Sequence, residues 1–181
     1  MLKQATQDRQ VTIRGAEPGD LSTVREFMLE IIDKDFGYRY QPQWHWDLDA
    51  LAEVYLEHPR HSLVVAMEAE RLVGTAALRS DGLRTPPHPE WLSTRYAGPD
   101  AGQLVRVFIA ADRRRRGIGR ALVAPVLEQA FTRVGYRTVF LHTSADVPGA
   151  ESFWRSLGPT LVYDEREHGT GHYVHFEFAA P

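Results

Sequence analysis

The sequence predicts an α/β (α+β) protein in which helices cover both faces of one mixed, largely antiparallel central sheet. Short apolar runs typical of strands alternate with longer amphipathic segments typical of helices, in the order β-α-α-β-β-β-α-β-α-β-β. The chain has 181 residues and shows no internal repeat or linker, which fits one domain. We therefore predict a flexible tail at residues 1–10, followed by a single domain at residues 11–181.

The first third of the chain predicts one strand and two helices. The alternation at Val11–Ile13 is typical of a strand. A helix begins at Pro18-Gly19-Asp20, because Asp20 can accept hydrogen bonds from the free amides of the first turn, and Gly37 ends it. A second helix is predicted from Trp44 to Pro59, with apolar residues along one side.

A hairpin follows these helices. The apolar runs Leu63–Met67 and Leu72–Leu78 flank four mostly charged residues, which is the pattern of two paired strands. The next stretch, residues 80–102, is rich in proline and glycine and is the least regular part of the sequence. A loop of this length inside a compact domain is usually functional or mobile.

The second half of the chain predicts alternating strands and helices. A helix runs from about Gly117 to Val134 and ends at Gly135, and a shorter one runs from Gly149 to Leu157. The strands predicted here are Leu104–Ile109, Thr138–Leu141, Leu161–Tyr163 and Tyr173–Phe178.

The composition excludes several classes of protein. The chain has no cysteine, which excludes a disulfide framework, a thiolate metal site and a cysteine nucleophile. No apolar run approaches the ~20 residues of a membrane span, and the first ten residues are polar, unlike a signal peptide. The formal net charge of -3 argues against a general nucleic-acid binder. We expect a cytoplasmic protein that acts on a small molecule or a peptide, with neither nucleic acid nor membrane as a partner.

The loop Arg114-Arg115-Arg116-Gly117-Ile118-Gly119 is the most informative segment, and it joins a buried strand to a helix. The free amides at a helix N-terminus attract anions, and arginine side chains add forked donors for phosphate. Gly117 and Gly119 let a ligand approach the backbone closely. This pattern predicts a phosphate or pyrophosphate site. The alternative is a solvated run of charge beside a helix cap.

Known nucleotide-binding loops fit this segment less well. A dinucleotide fingerprint needs three spaced glycines early in a βαβ unit, and a triphosphate-binding loop needs Gly-Lys-Ser/Thr. The spacing Arg114-x-x-Gly117-x-Gly119 instead resembles the R/Q-x-x-G-x-G/A signature of the GNAT acetyltransferase superfamily. The strand before it, the helix after it and the later segment Ala150–Gly158 are similar to the rest of that core. The resemblance extends from Val11 to Phe178.

The resemblance implies a GNAT-like fold and an N-acetyltransferase. Such an enzyme moves an acetyl group from acetyl-CoA, its co-substrate, to a primary amine of a small molecule or peptide by direct attack. The loop amides would bind the CoA pyrophosphate, and the strand backbone at Val107–Ile109 would pair with the pantetheine arm. A bulge there would separate this strand from the next, and an amide near Val107 would stabilise the oxyanion. The implied cofactor-binding residues are Val107, Phe108, Ile109, Arg114, Arg115, Arg116, Gly117, Ile118, Gly119 and Arg120.

Three positions depart from the family's usual pattern. Trp154 takes the place of a tyrosine acid, Gln103 that of a glutamate base, and Val147 that of a common asparagine. An indole cannot act as a general acid at neutral pH, although its N–H can donate a hydrogen bond. Either other groups perform these roles or solvent does. The departures also leave open a non-catalytic acyl-CoA-binding regulatory module.

His142 and Tyr173 are the candidate catalytic residues, with His175 as a further candidate. His142 lies near the end of a central strand, and imidazole titrates in a useful range. Tyr173 lies on the last hairpin, near the expected entry of the amine. For each, the alternative is an ordinary structural side chain. We predict no metal site, because the cluster of His168, His172 and His175 shows no acidic or cysteine partner.

The segment Trp44–Asp47 is a candidate wall of the acceptor pocket in the family that the chain resembles. Aromatic side chains with a carboxylate would suit a cationic or aromatic amine. The alternative is that the two tryptophans belong to the core. The sequence does not choose the acceptor, and the oligomeric state also stays open, although homodimers are frequent in that family. A third function, nucleic-acid binding by the arginine run, would require salt-dependent binding.

Overall fold

The structure is a computed structural model that describes residues 10–83 and 87–181. The predicted tail, residues 1–10, lies outside the described residues except for Gln10. The strands are β1 Val11–Gly15, β2 Ser62–Glu68, β3 Arg71–Arg79, β4 Ala101–Ile109, β5 Thr138–Ser144, β6 Thr160–Asp164 and β7 Tyr173–Ala179. The α-helices are α1 Leu21–Phe36, α2 Pro42–His45, α3 Glu90–Arg95, α4 Ile118–Gln129 and α5 Ala150–Arg155.

The seven strands form one sheet in the order β1-β2-β3-β4-β5-β7-β6. Only the β4–β5 pair is parallel, and the other five pairs are antiparallel. Helices cover both faces. On β2, Val64 and Ala66 pack in the core cluster that contains α4, whereas Leu63 and Val65 pack in the cluster that contains α1. This alternation follows from the two-residue period of a strand. The predicted fold class is confirmed.

The prediction of one continuous second helix from Trp44 to Pro59 is wrong. The α-helix α2 ends at His45, a 3₁₀ turn covers Trp46–Leu48, and a π-helical segment covers Ala52–Glu57. The tight turn carries Asp47, whose carboxylate points inward to the Tyr55 hydroxyl and to a guanidinium on β4. A long-range contact therefore overrides the local helical pattern.

Two smaller expectations also change. Asp20 does not cap α1, because its carboxylate accepts hydrogen bonds from the Arg14 guanidinium (2.6 and 2.9 Å) and from the Glu17 amide (2.7 Å). The irregular stretch at residues 80–102 contains α3, which has only six residues and so gives little periodic signal. An ion pair between Arg95 and Glu177 fixes α3 against β7.

A bulge in β4 separates this strand from β5. Thr75 of β3 pairs with Phe108 and Ala77 pairs with Val105, so two residues of β4 face the single Ala76. One of the two is Arg106, whose φ of 54° lies in the left-handed region. The pairing of β4 with β5 extends only from Ala101 to Gln103, and the two strands diverge beyond that point. The expected bulge and the expected separation are both present.

No helix in the part of the chain that the structure describes is long and apolar enough to cross a membrane.

Candidate active site

A groove of about 980 Å³ runs between the second half of β4, the arginine loop and α5. Its wall includes nine of the ten predicted cofactor-binding residues: Val107, Phe108, Ile109, Arg114, Arg115, Gly117, Ile118, Gly119 and Arg120. Arg116 is the exception, because it is exposed and does not line the groove. The groove is thus lined both by an apolar strand and by a basic loop.

The loop and the start of α4 form part of the wall of this groove. Gly117 is the N-cap of α4 and has a φ of 81°, a conformation that glycine adopts without steric cost. The N-cap of α4 makes no side-chain hydrogen bond, so the first amides of this helix, at residues that line the groove, are free to bind an anion. Gly119 has a second role that the sequence did not indicate. A Cβ there would lie 3.0 Å from the Phe153 ring, so this glycine lets α4 pack against α5.

The four consecutive arginines differ in their surroundings. Arg113 pairs with Glu68 at 2.7 Å and with Asp112 at 2.8 Å. Arg114 pairs with Asp35 and also donates to the Ile109 carbonyl at 3.1 Å. Half of the charge is therefore neutralised within the chain. The exposed side chains of Arg115 and Arg116 carry the remaining positive charge of the run.

A second cavity of about 430 Å³, which we call the acceptor cavity, lies beside the same bulge. Side chains from α2, the ends of β3 and β5, and the start of β7 line it. Five of the described residues line both cavities, and they are Phe36, Val107, Phe108, Thr143 and Trp154. The two cavities therefore meet where β4 and β5 diverge. A donor in the first and an acceptor in the second would bring their reactive ends to this junction.

A family model for the acetyltransferase (GNAT) family matches residues 25–158, which is most of the chain. The chain belongs to the GNAT acetyltransferase family. No curated protein sequence matches it.

Solved structures share the GNAT fold at low sequence identity. A GNAT-family acetyltransferase from Staphylococcus aureus Mu50 aligns with a TM-score of 0.72 and 16% identity, over 95% of this chain and 100% of that one. A GCN5-related N-acetyltransferase from Kribbella flavida gives 0.66 and 22%, over 93% and 97%. The spermidine N-acetyltransferase from Vibrio cholerae, in complex with CoA and spermine, gives 0.61 and 18%, over 94% and 95%. At these identities the likeness shows the fold alone.

Asp47 holds the bulge of this GNAT domain in place. Its carboxylate is fully buried and accepts hydrogen bonds from Arg106 Nε (2.9 Å) and Nη2 (2.5 Å) and from the Tyr55 hydroxyl (2.6 Å). Burial alone would raise the pKa of Asp47, but these bonds and the charge of Arg106 outweigh it and lower the pKa to about 2. Asp47 does not line the acceptor cavity, so the expectation that its carboxylate meets a cationic amine is wrong.

The two tryptophans of this segment do reach the acceptor cavity. Trp44 is 48% exposed, so it is not a core residue, whereas Trp46 is partly buried and packs against the core cluster that contains α1; both line the cavity. His45 lines the same cavity although it is buried, and its Nδ1 accepts a hydrogen bond from the Gln41 amide at 2.8 Å.

Both predicted catalytic residues line the acceptor cavity. The rings of His142 and Tyr173 lie 5.3 Å apart between centroids. Burial holds the pKa of His142 well below its usual value, so its imidazole is neutral at pH 7. Its Nδ1 is buried and has no hydrogen-bond partner among the described residues. Burial raises the pKa of Tyr173, so its phenol keeps its proton.

A buried carboxylate, that of Glu165, lies between two histidines, His88 and His175. The sequence analysis did not predict this contact. Glu165 Oε1 lies 2.9 Å from His175 Nε2 and 3.4 Å from His88 Nδ1. The Tyr173 amide donates to the other carboxylate oxygen at 3.2 Å. The pKa of His88 falls to about 4, because burial and the neighbouring His175 outweigh the attraction of Glu165. The hairpin pairing of β6 with β7 is the one signal that could have brought Glu165 near Tyr173.

This cluster removes the reason for predicting that the chain has no metal site. Ligand atoms of His88, Glu165 and His175 lie within 4.8 Å of one another, and two imidazoles with a carboxylate can bind zinc or iron. The prediction of no metal site assumed that the histidines lack an acidic partner. That premise is wrong, because Glu165 is such a partner, and His168 and His172 are not members of the group.

The positions that usually supply acid and base keep their unusual residues at the junction. Trp154 is 7% exposed and lines both cavities. Gln103 is buried and lines the acceptor cavity, where its Oε1 accepts a hydrogen bond from Arg79 Nε at 3.3 Å. Val147 lines only the groove beside the arginine loop. At these positions the chain therefore offers neither a tyrosine acid nor a glutamate base.

Proposed function

We propose that residues 11–181 are one acetyltransferase domain that moves an acetyl group from acetyl-CoA to a primary amine of a small molecule or peptide. The junction of the two cavities at the β4 bulge carries this proposal. A long groove with a basic, amide-lined end suits CoA, and a smaller aromatic cavity suits the acceptor. The absence of cysteine in the sequence fits a cytoplasmic, reducing environment.

The donor would bind along the groove in two parts. The pyrophosphate would accept hydrogen bonds from the amides at Gly117–Arg120, where the helix dipole of α4 adds positive potential. The pantetheine arm would pair with the backbone of Val107–Ile109, because β5 has already diverged from β4 there. This arrangement leaves the thioester at the junction, beside the amide of Val107.

The reaction would proceed by direct attack of a neutral amine on the thioester carbon. A carbon–nitrogen bond forms while the carbonyl electrons move to oxygen, and the amide near Val107 stabilises that oxyanion. The carbon–sulfur bond then breaks, the nitrogen loses a proton, and the thiolate gains one. His142, which is neutral, would take the proton from nitrogen, and Tyr173, which is protonated, would give one to sulfur.

Tyr173→Phe tests the role of the phenol. We expect kcat to fall about tenfold, below the usual range for a general acid, because a thiolate is already a fair leaving group. KM for acetyl-CoA should change less than about twofold, since the ring stays in place. Steady-state thiol release measures both constants.

Tyr163→Phe is the matched control for this variant. It removes a hydroxyl of the same hairpin, one that is bonded to Thr170 and does not line the acceptor cavity. Its kcat should stay at the wild-type value. An equal loss in both variants would mean that hairpin stability, and not proton donation, explains the effect.

Calorimetry with acetyl-CoA, followed by thiol release across a panel of amines, tests the proposed function as a whole. Binding with amine-dependent thiol release would establish the enzyme. A failure to bind acetyl-CoA would reject the proposal, because the groove would then have no cofactor role.

A non-catalytic acyl-CoA-binding regulatory module is the second candidate function. Trp154 and Gln103, at the usual positions of acid and base, favour it. Tight binding of acetyl-CoA without thiol release on a broad panel would support this candidate. Polyamines belong in that panel, because the Vibrio cholerae neighbour is a spermidine N-acetyltransferase.

A further inference from the structure

We propose that Arg79 binds an anionic group of the acceptor, so that the acceptor is an amine that also carries a carboxylate. Arg79 is the last residue of β3 and lines the acceptor cavity. The inference rests on the proposed acetyl transfer and names its substrate class.

The contacts of Arg79 leave one of its donors without a partner. Its Nε donates to Gln103 Oε1 at 3.3 Å, and its guanidinium carbon lies 5.5 Å from the centre of the Trp46 ring. The side chain is only 11% exposed, and Nη1 is buried with no hydrogen bond to any described residue. A buried donor on a charged group is costly to leave unpaired, so its position beside a cavity points to a ligand.

The carboxylates near Arg79 do not fill this role. Asp47 lies 3.8 Å from Nη1, beyond hydrogen-bond distance, and its oxygens already accept from Arg106 and Tyr55. One buried negative charge is thus shared by two guanidinium groups. Asp81 lies 3.6 Å from Nε, but its side chain is 33% exposed, and an ion pair open to water contributes little.

The rest of the cavity wall favours an anion over a second cation. None of the described residues that line the cavity is an aspartate or a glutamate, whereas two of them, Arg79 and Arg106, are arginines. Burial lowers the pKa of His45, of His88 and of His142, so these imidazoles add no negative charge and little positive charge at pH 7. A polyamine would therefore bring its second ammonium to two arginines with no carboxylate to receive it.

A carboxylate, in contrast, matches what Arg79 offers. A planar guanidinium can hold a carboxylate through parallel hydrogen bonds, and the position of Arg79 over the Trp46 ring adds a cation–π contact. The cavity of about 430 Å³ is in the lower half of the size range of small-molecule sites. It suits an amino acid or a short peptide whose amine reaches the junction while its carboxylate stays at Arg79.

Matched acceptors test this assignment. A panel of α-, β- and ω-amino acids and spermine is assayed first, and the best amino acid is then compared with its carboxamide and its decarboxylated amine. For the wild type, kcat/KM should be at least about tenfold higher for the free acid than for either analogue, in line with one charge-assisted hydrogen-bonded pair. Arg79→Gln should lower kcat/KM for the acid by about the same factor and leave the carboxamide within about twofold.

Two controls separate binding from stability. Arg71→Gln removes an exposed arginine of the same strand that pairs with Asp112, and it should leave all three acceptors unchanged. Arg79→Lys should recover part of the preference for the acid. Equal use of acid and carboxamide by the wild type, a preference for spermine, or an equal loss for all acceptors in Arg79→Gln would overturn the assignment.

Calorimetric binding of the same three compounds to the CoA complex gives a readout independent of turnover. Selective binding of the acid, lost in Arg79→Gln, without thiol release would keep the anion site and reject acetyl transfer. Turnover of amines with no selectivity for the acid, in binding or in rate, would keep the proposed function and reject the role of Arg79.

Discussion

Replacing Asp47 by alanine is expected to lower the free energy of unfolding by about 3–5 kcal/mol. The variant would leave the Arg106 guanidinium without its carboxylate, although its side chain is only 13% exposed. Tyr55, also buried, would lose the acceptor of its hydroxyl. Removing one partner of a buried ion pair is costly because the other charge stays desolvated.

The backbone adds to this cost. Arg106 has a φ of 54°, a left-handed conformation that persists only where surrounding contacts fix it. Asp47 and the Trp44 carbonyl, which accepts from Arg106 Nη2 at 2.7 Å, supply those contacts. Without Asp47, we expect β4 to lose its bulge more readily, so the junction of the two cavities would also become less defined.

Urea denaturation followed by circular dichroism measures the effect, with Asp112→Ala as the matched control. Asp112 accepts two hydrogen bonds from Arg71, at 2.8 and 2.9 Å, and one from Arg113, at 2.8 Å, but the side chains of Arg71 and Asp112 are about half exposed. An exposed pair of this kind contributes less than about 1 kcal/mol. A loss for Asp47→Ala as small as that for Asp112→Ala would contradict the view that the buried pair maintains the bulge.

Local sequence patterns predicted the sheet and the position of the arginine loop between β4 and α4 well. Short apolar runs indicate the strands, and neighbouring arginines and glycines indicate the loop. The positive φ of Gly117 and of Gly135 follows from the same local logic. These features depend on residues within a few positions of one another, so periodicity and turn chemistry suffice to predict them.

The sequence predicted His142, Tyr173 and the two tryptophans of the second cavity, but not the contacts between distant parts of the chain around it. Asp47 turns inward because its carboxylate accepts a hydrogen bond from Arg106, 59 positions later in the chain. This contact interrupts the predicted second helix. Glu165 meets His88 across 77 positions. Such pairings are not visible in a local pattern. The arginine in the otherwise apolar strand Leu104–Ile109 was the one signal that a buried partner was needed.

Gly117→Glu is expected to weaken acetyl-CoA binding by about 30-fold or more, which corresponds to about 2 kcal/mol. The new side chain would project from the N-cap of α4 into the groove, where it would cover the free amides and repel the pyrophosphate. Nothing in the described structure lies within 4 Å of the added Cβ, so packing is not disturbed. Calorimetry with acetyl-CoA measures the change in affinity.

Gly135→Glu provides a control in the same helical segment. Gly135 ends the π-helical continuation of α4, has the same φ of 81° and also has nothing within 4 Å of its added Cβ. Both variants therefore impose the same left-handed strain, about 1–2 kcal/mol of stability, but only Gly117 lies in the groove. A glutamate at the N-terminus of α4 also interacts favourably with the helix dipole, so Gly117→Glu should be the more stable of the two.

The pair thus separates a binding defect from a folding defect. Loss of acetyl-CoA binding in Gly117→Glu alone, at equal or higher stability, would require that the amides of this loop contact the cofactor. Equal affinity in both variants would mean that the phosphates of CoA bind elsewhere and that the loop is a charged helix cap. The exposed Arg115 and Arg116 would then be ordinary surface charges, since Arg113 and Arg114 are already paired within the chain.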